Sequence, residues 1–312
     1  MLIRRSELHY PLDSEALFRR PGKLVLEIGF GDGRFLAGLA HRHPDWNLLG
    51  VEVSLASVSR AWRRMRRDGI HAARLFKGNA RFLVRDVLGE KALHRVYVNF
   101  PDPWPRKRHL DNRLLQSGFF DLVSTRLESG GSIRLTTDHE EYFEFARAEA
   151  ALSGRFVEEI LDPPRETLET KYALKWQADA RHIQHVVWTL REAAPVVPPL
   201  ISIEPMQHAL LTGDLSLVGE FTKQVRRFDG GAAVVTEAFR TMDGKGLLFT
   251  VVVEETDLRQ ELLVRVFEKE AGVHVGLQPF GDPLTTRGVR EGLHAVTAWL
   301  ESQGLTLVKT WI

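Results

Sequence analysis

The chain has no cysteine, few methionines and tyrosines, and almost no net charge. Without cysteine there are no disulfides, no thiolate zinc site and no cysteine nucleophile, which suits a reducing cytoplasm. No apolar run approaches the ~18 residues of a spanning helix. The first residues, Met1 to Asp13, lack the apolar stretch of a signal peptide. A cytoplasmic protein without membrane contact is therefore expected. Taken alone, the net charge of +1 argues against a polyanionic partner. What is present is 312 residues of ordinary globular composition, more than one core usually holds, so two domains are expected.

Pro195, Pro198 and Pro199 suit a stiff extended linker, because proline fixes φ and lacks a backbone donor. They divide the chain into an expected first domain over 1–194, a linker over 195–200 and a second domain over 201–312. The charge divides there too. Residues 1–195 hold 31 Lys+Arg against 26 Asp+Glu, and the remainder hold 11 against 15. A basic part of +5 is thus joined to an acidic part of −4.

The first part alternates strand and helix signals. Leu24–Ile28, Leu48–Glu52, Ala73–Phe76, Val96–Val98 and Ile133–Thr136 read as strands. Helical patterns fit at 34–41, 55–68, 80–88, 113–127 and 140–152, with Ser54 as a cap and Gly69 as a stop for the second. Val157–Leu161 and His185–Leu190 fit a closing antiparallel pair. Such alternation predicts an α/β fold, a parallel sheet with helices on both faces and ligands beyond the carboxyl ends of the strands. The second part reads as an α+β module. Four consecutive strands, 232–239, 246–254, 262–270 and 272–278, form an antiparallel meander, with Asp243-Gly244 and Ala271-Gly272 as turns. A helix carrying Val289, Leu293, Val296 and Leu300 on one stripe follows, then a strand over 305–311. Another helix is expected over 206–227.

Directly after the first strand stands Glu27-Ile28-Gly29-Phe30-Gly31-Asp32-Gly33. Gly29, Gly31 and Gly33 allow a sharp bend and close approach of a ligand to the backbone. A dinucleotide fingerprint would read G-x-G-x-x-G, whereas Arg34 follows the third glycine here. Glu27 suits a cationic ligand better than a pyrophosphate. S-adenosylmethionine carries a sulfonium and an ammonium and no phosphate. Glu52, ending the second strand, is placed to accept ribose hydroxyls. A purely structural turn and a nicotinamide or flavin site are the competing readings. Asn79, after the third strand, is either an adenine contact or a helix cap.

The fourth strand runs into Asn99-Phe100-Pro101-Asp102-Pro103-Trp104-Pro105-Arg106-Lys107-Arg108-His109. Three prolines in five residues fix an irregular rigid loop at the carboxyl edge, beside the glycine loop. Asp102 is thereby held near a bound methyl donor. Trp104 offers a face for stacking a base, and the three cations offer charge for phosphates.

These segments resemble the tRNA (guanine-N7-)-methyltransferases, the bacterial enzymes that modify position 46 of the tRNA variable loop. The glycine loop, Gly50-Val51-Glu52, the proline-rich segment and Leu135-Thr136-Thr137-Asp138 occur in that family's order and spacing, over roughly residues 20–190. The resemblance implies a Rossmann-like class I methyltransferase sheet with S-adenosylmethionine as donor. It implies that Glu27, Glu52, Asn79 and Asp102 line the donor site, and that Asp102 is the catalytic residue. It also implies that Arg106, Asp138 and the segment around Thr170 meet the substrate guanosine. The sequence departs from the family at Arg106, usually lysine, at Asn79, often acidic, and at Ala173, where a glutamate is usual. Residues 196–312 lie outside the usual compact enzyme.

Guanine N7 carries a lone pair and no proton, so methyl transfer to it needs positioning rather than a base. Arg60, Arg63, Arg64 and Arg67 recur at helical spacing on one face and suit a tRNA backbone, or else a merely solvated surface. His41/His43 and His182/His185 lack further ligands, so no metal site is expected. The acidic domain contains no catalytic constellation. A dimer contact or brace is favoured for it, and an auxiliary tRNA reader is conditional on clustering of Lys223, Arg226 and Arg227. Competing functions are amino-group methylation and a non-catalytic RNA-binding protein that keeps the fold.

Overall fold

The computed structural model describes residues 1–164, 167, 182–201, 203 and 208–311. The chain forms two compact units, Met1–Ile3 with Leu8–Pro199 and Arg4–Glu7 with Leu200–Ile312. Among the described residues no helix is long and apolar enough to cross a membrane.

In the first unit α1 (Ser14–Phe18) precedes β1 (Leu24–Ile28), α2 (Arg34–Arg42), β2 (Asn47–Glu52), α3 (Leu55–Arg67) and β3 (Ala73–Lys77). A short α4 (Ala80–Phe82) runs into a π turn over Leu83–Val87 and then into β4 (Leu93–Asn99). α5 (Ser117–Arg126), β5 (Leu127–Thr137), α6 (Glu140–Ser153), β6 (Phe156–Leu161) and β7 (Gln184–Leu190) complete it. The sheet order is β3-β2-β1-β4-β5-β7-β6. The first five strands are parallel, and β7 runs antiparallel to both its neighbours. All five residues of β1 are buried, as a central strand covered on both faces requires. From β1 and β4 the chain winds outward in opposite directions. Right-handed crossovers then put α2 and α3 on one face and α5 on the other. The reversal between β1 and β4 opens a crevice at their carboxyl ends, and both motif loops emerge there.

The second unit is a seven-stranded antiparallel sheet. Its strands are β8 (His208–Thr212), β9 (Gln224–Phe228), β10 (Gly231–Arg240), β11 (Gly246–Glu255), β12 (Leu258–Lys269), β13 (Gly272–Leu277) and β14 (Thr306–Thr310). They lie in the order β14-β8-β13-β12-β11-β10-β9. One helix, α7 (Arg287–Ser302), buries Val289, Leu293, Val296 and Leu300 against that sheet. Phe221, Phe249 and Trp299 meet edge-on at centroid distances of 5.2–5.8 Å within the same core. The helix expected over 206–227 is not formed by the described residues there. Ala209 and Leu211 alternate into the core from a strand that pairs with β13 and β14, and Gly213 at φ +138° ends it. Long-range pairing overrides local helical preference at this point.

Candidate active site

The glycine loop is shaped by two different demands. Gly31 has φ +54° and open space where a Cβ would stand, so conformation alone requires glycine. Gly33 has φ +76°, and a Cβ there would lie 2.8 Å from that of Ala61 on α3. Glycine at 33 therefore lets α3 pack directly behind the loop. Glu52 closes the turn from β2: its Oε2 accepts the Gly31 N–H at 3.1 Å and its Oε1 the Ser54 N–H at 2.9 Å. Asp32, at the tip, is held by Arg34 at 3.1 Å and by Arg64 at 3.0 Å. Arg64 also donates to the Asp32 carbonyl at 3.0 Å. The expected cationic face of α3 is thus divided, since Arg64 points into the loop rather than outward.

Glu27 sits beneath the loop and is 2% exposed. Its Oε1 takes a long contact, 3.4 Å, from the Asn99 side-chain amide. Its Oε2 and the Asn99 Oδ1 have no hydrogen-bond partner among the described residues. Burial pushes the Glu27 carboxyl up to about 8, helped by the charges of Asp32 and Glu52 and opposed by the Asn99 bond. A buried oxygen without a partner costs on the order of 1–3 kcal/mol, and a cationic ligand would recover it.

The proline-rich loop is clamped at both ends. The Phe100 N–H donates to the Thr136 carbonyl at 2.8 Å, across to β5. Phe100 at φ +50° and Trp104 at φ +44° occupy left-handed backbone, a strain that surrounding structure must hold in place. Arg113 does much of the holding. It is 2% exposed, donates through Nε to the Pro103 carbonyl at 2.9 Å and through Nη2 to Glu141 at 2.8 Å, and lies 4.7 Å from the Phe145 ring. The sequence offered no sign of this role, because Arg113 follows closely on exposed Arg106 and Arg108.

Glu27, Gly29, Gly31, Glu52, Asn79 and Asp102 all line one cavity of about 550 Å³, with Trp104 and Tyr142 on the same wall. Asp102 is exposed at its rim. Burial pushes the Tyr142 phenol up to about 12. Asn79 caps α4, its Oδ1 accepting the Arg81 N–H at 2.7 Å, and the residue also lines the cavity. Gly33, Arg106 and Asp138 are not on the cavity wall. Arg106 is exposed and Asp138 half-buried after β5. Thr170 and the Ala173 departure lie outside the described residues.

Residues 21–186 match a family model described as a putative methyltransferase. The chain is 47% identical over 311 residues to a tRNA (guanine-N(7)-)-methyltransferase of Thermus thermophilus, with 99% of each chain covered. The chain belongs to the tRNA (guanine-N(7)-)-methyltransferase family. It is 41% identical to the enzyme of that name from Deinococcus radiodurans, over 97% of this chain and 98% of the relative. For the Thermotoga maritima relative the identity is 30%, over 95% of each. These three matches span the second unit too, so the added module is shared with them. The methyl donor of this tRNA (guanine-N(7)-)-methyltransferase is S-adenosylmethionine. The cavity fits it: the volume suits a nucleoside-sized ligand, and the buried unpartnered Glu27 oxygen suits a cationic one.

Proposed function

We propose that this methyltransferase acts on guanosine 46 of the tRNA variable loop, with Asp102 as its catalytic residue. The carrying observation is that Asp102 lines the same cavity as Glu27, whose buried Oε2 has no partner, while staying exposed at the rim, where a substrate arrives. Glu27 takes a cationic group of the donor, Glu52 its ribose hydroxyls and Asn79 its adenine edge. S-adenosylmethionine supplies a methyl group bound to a positively charged sulfur. The guanine N7 lone pair forms the new N–C bond as the C–S bond breaks. That electron pair leaves on sulfur, and positive charge appears on the guanine imidazole ring. No proton leaves N7, so this chain's residues act by orientation and charge. Asp102, on a loop pinned by Arg113, opposes the charge as it develops. Arg106 and Asp138, outside the donor cavity, are assigned to the incoming nucleoside.

The test pairs labelled S-adenosylmethionine with unmodified tRNA and identifies the labelled nucleoside after digestion. Asp102→Ala should lower turnover about 100- to 1000-fold while the donor dissociation constant stays within threefold. Wild-type turnover in that variant, or label at another atom or position, would overturn the reading.

A further inference from the structure

The second unit has one helix for seven strands, so one face of its sheet carries α7 and the other carries no helix among the described residues. Side chains alternate between the faces. On β12, Leu262, Val264 and Val266 enter the core beneath α7, leaving Arg265, Phe267 and Lys269 on the opposite face. On β13, Val273 and Val275 turn inward and His274 and Gly276 outward. The register sets Phe267 beside His274, His274 beside Leu210, and Leu210 beside Lys309.

Two aromatic groups result. Phe267 stacks on His274 with centroids 5.8 Å apart, and carries the Arg265 guanidinium at 4.9 Å and the Lys269 ammonium at 5.1 Å. Trp311, 42% exposed, stacks on His208 at 4.3 Å and carries the Lys309 ammonium at 4.5 Å. Between them the row from Arg265 to His208 passes through Gly276, where a Cβ would meet nothing within 4 Å. The rings therefore flank an open notch.

Cations gather beside both rings although the unit as a whole is acidic. Among the described residues, Arg265, Lys269 and Lys309 pair with no carboxylate. On the same face Glu254 and Glu261 share Arg259 at 2.7 and 3.3 Å, Glu237 stands at mid-sheet beside Thr250, and exposed Glu268 and Glu270 flank Lys269 in the chain. His274 reports the local field: its pKa is lowered by burial first, then by the Lys269 and His208 charges. Of the cations the sequence singled out, Arg226 is tied to Glu291 of α7.

We propose that this face is a second RNA-contact surface, on which Arg265, Lys269 and Lys309 swing off the rings they now cover to hold phosphates, and Phe267 and Trp311 then stack the adjoining unpaired bases of the tRNA. Flat rings flanked by unpaired cations are what a single-stranded nucleic acid requires, because every base has a face to stack and every linkage a charge. An acidic protein partner would use the cations and leave the rings without a role. The inference rests on tRNA being the substrate.

The experiment measures binding of the full chain to unmodified tRNA transcript over a salt series, alongside donor affinity, oligomeric state and methylation. The R265E/K269E/K309E variant should bind tRNA at least tenfold more weakly and lose about 2–3 from the salt slope. Phe267→Leu and Trp311→Leu should each weaken binding about 5- to 100-fold, with the slope kept. Donor affinity should be unchanged throughout. If the triple variant binds tRNA within twofold of wild type while wild type methylates it, the surface is refuted and the substrate reading stands. A changed oligomeric state with unaltered tRNA affinity assigns the face to a second copy and also refutes it. A wild-type chain that neither binds nor methylates tRNA overturns both.

Discussion

Under the proposed function, Glu27 is the residue that reads out ligand charge. Its carboxyl lies near 8 because burial removes the water that would solvate the anion. In an unfolded chain the same group titrates near 4.5. Below that value both forms carry the proton and no penalty arises. Between 4.5 and about 8 the folded form keeps a proton that the unfolded form has lost, so this group costs stability increasingly as pH rises through the window. A cationic donor needs the anion, so binding near pH 7 should expel about one proton. Calorimetry in buffers of different ionisation enthalpy should detect that proton in the wild type and none in Glu27→Gln. The variant's gain in melting temperature without donor should also be larger at pH 8 than at pH 6. Buffer-independent enthalpies together with parallel stability curves would remove this role from Glu27.

At the scale of the element, α3 separates two functions that its spacing alone merges. Arg67 pairs with Asp68 at 2.8 Å, Arg60 donates to the Ser57 hydroxyl at 2.9 Å, and Arg64 braces Asp32 in the glycine loop. Arg63 is exposed and pairs with no carboxylate among the described residues. Arg63→Glu should weaken tRNA binding severalfold and leave donor affinity alone. Arg64→Ala should do the reverse, raising the donor dissociation constant severalfold by releasing Asp32. Equilibrium binding of each ligand to each variant checks this, and a tRNA-only effect of Arg64→Ala would contradict it. Motifs confined to consecutive residues were legible in the sequence: the glycine loop, the proline-rich loop and the alternation that puts both at one sheet edge. Contacts between distant segments were not. Arg113 under Pro103, Arg64 on Asp32 and the β8 pairing that replaced an expected helix each depend on a partner that chain-local spacing does not encode.

For the whole molecule, net charge is a poor guide to partners. The +1 total is the sum of a basic part and an acidic part, and even the acidic part carries a cationic patch around Phe267 and Trp311. A polyanion responds to patches within a Debye length of about 8–10 Å, not to the total. Binding of tRNA should therefore depend steeply on salt although the protein is nearly neutral. Each phosphate contact contributes about 0.7–0.9 to the slope of log affinity against log salt, so several contacts give a slope of about −3 or steeper. The cavity proposed for the donor holds a buried carboxyl, where mobile ions screen little, so donor affinity should vary less than threefold over the same series. Measuring both affinities in one set of solutions makes the comparison internal. A tRNA slope shallower than about −1 would mean that fewer than two phosphates are neutralised, which is too few for either cationic surface to act on the tRNA backbone.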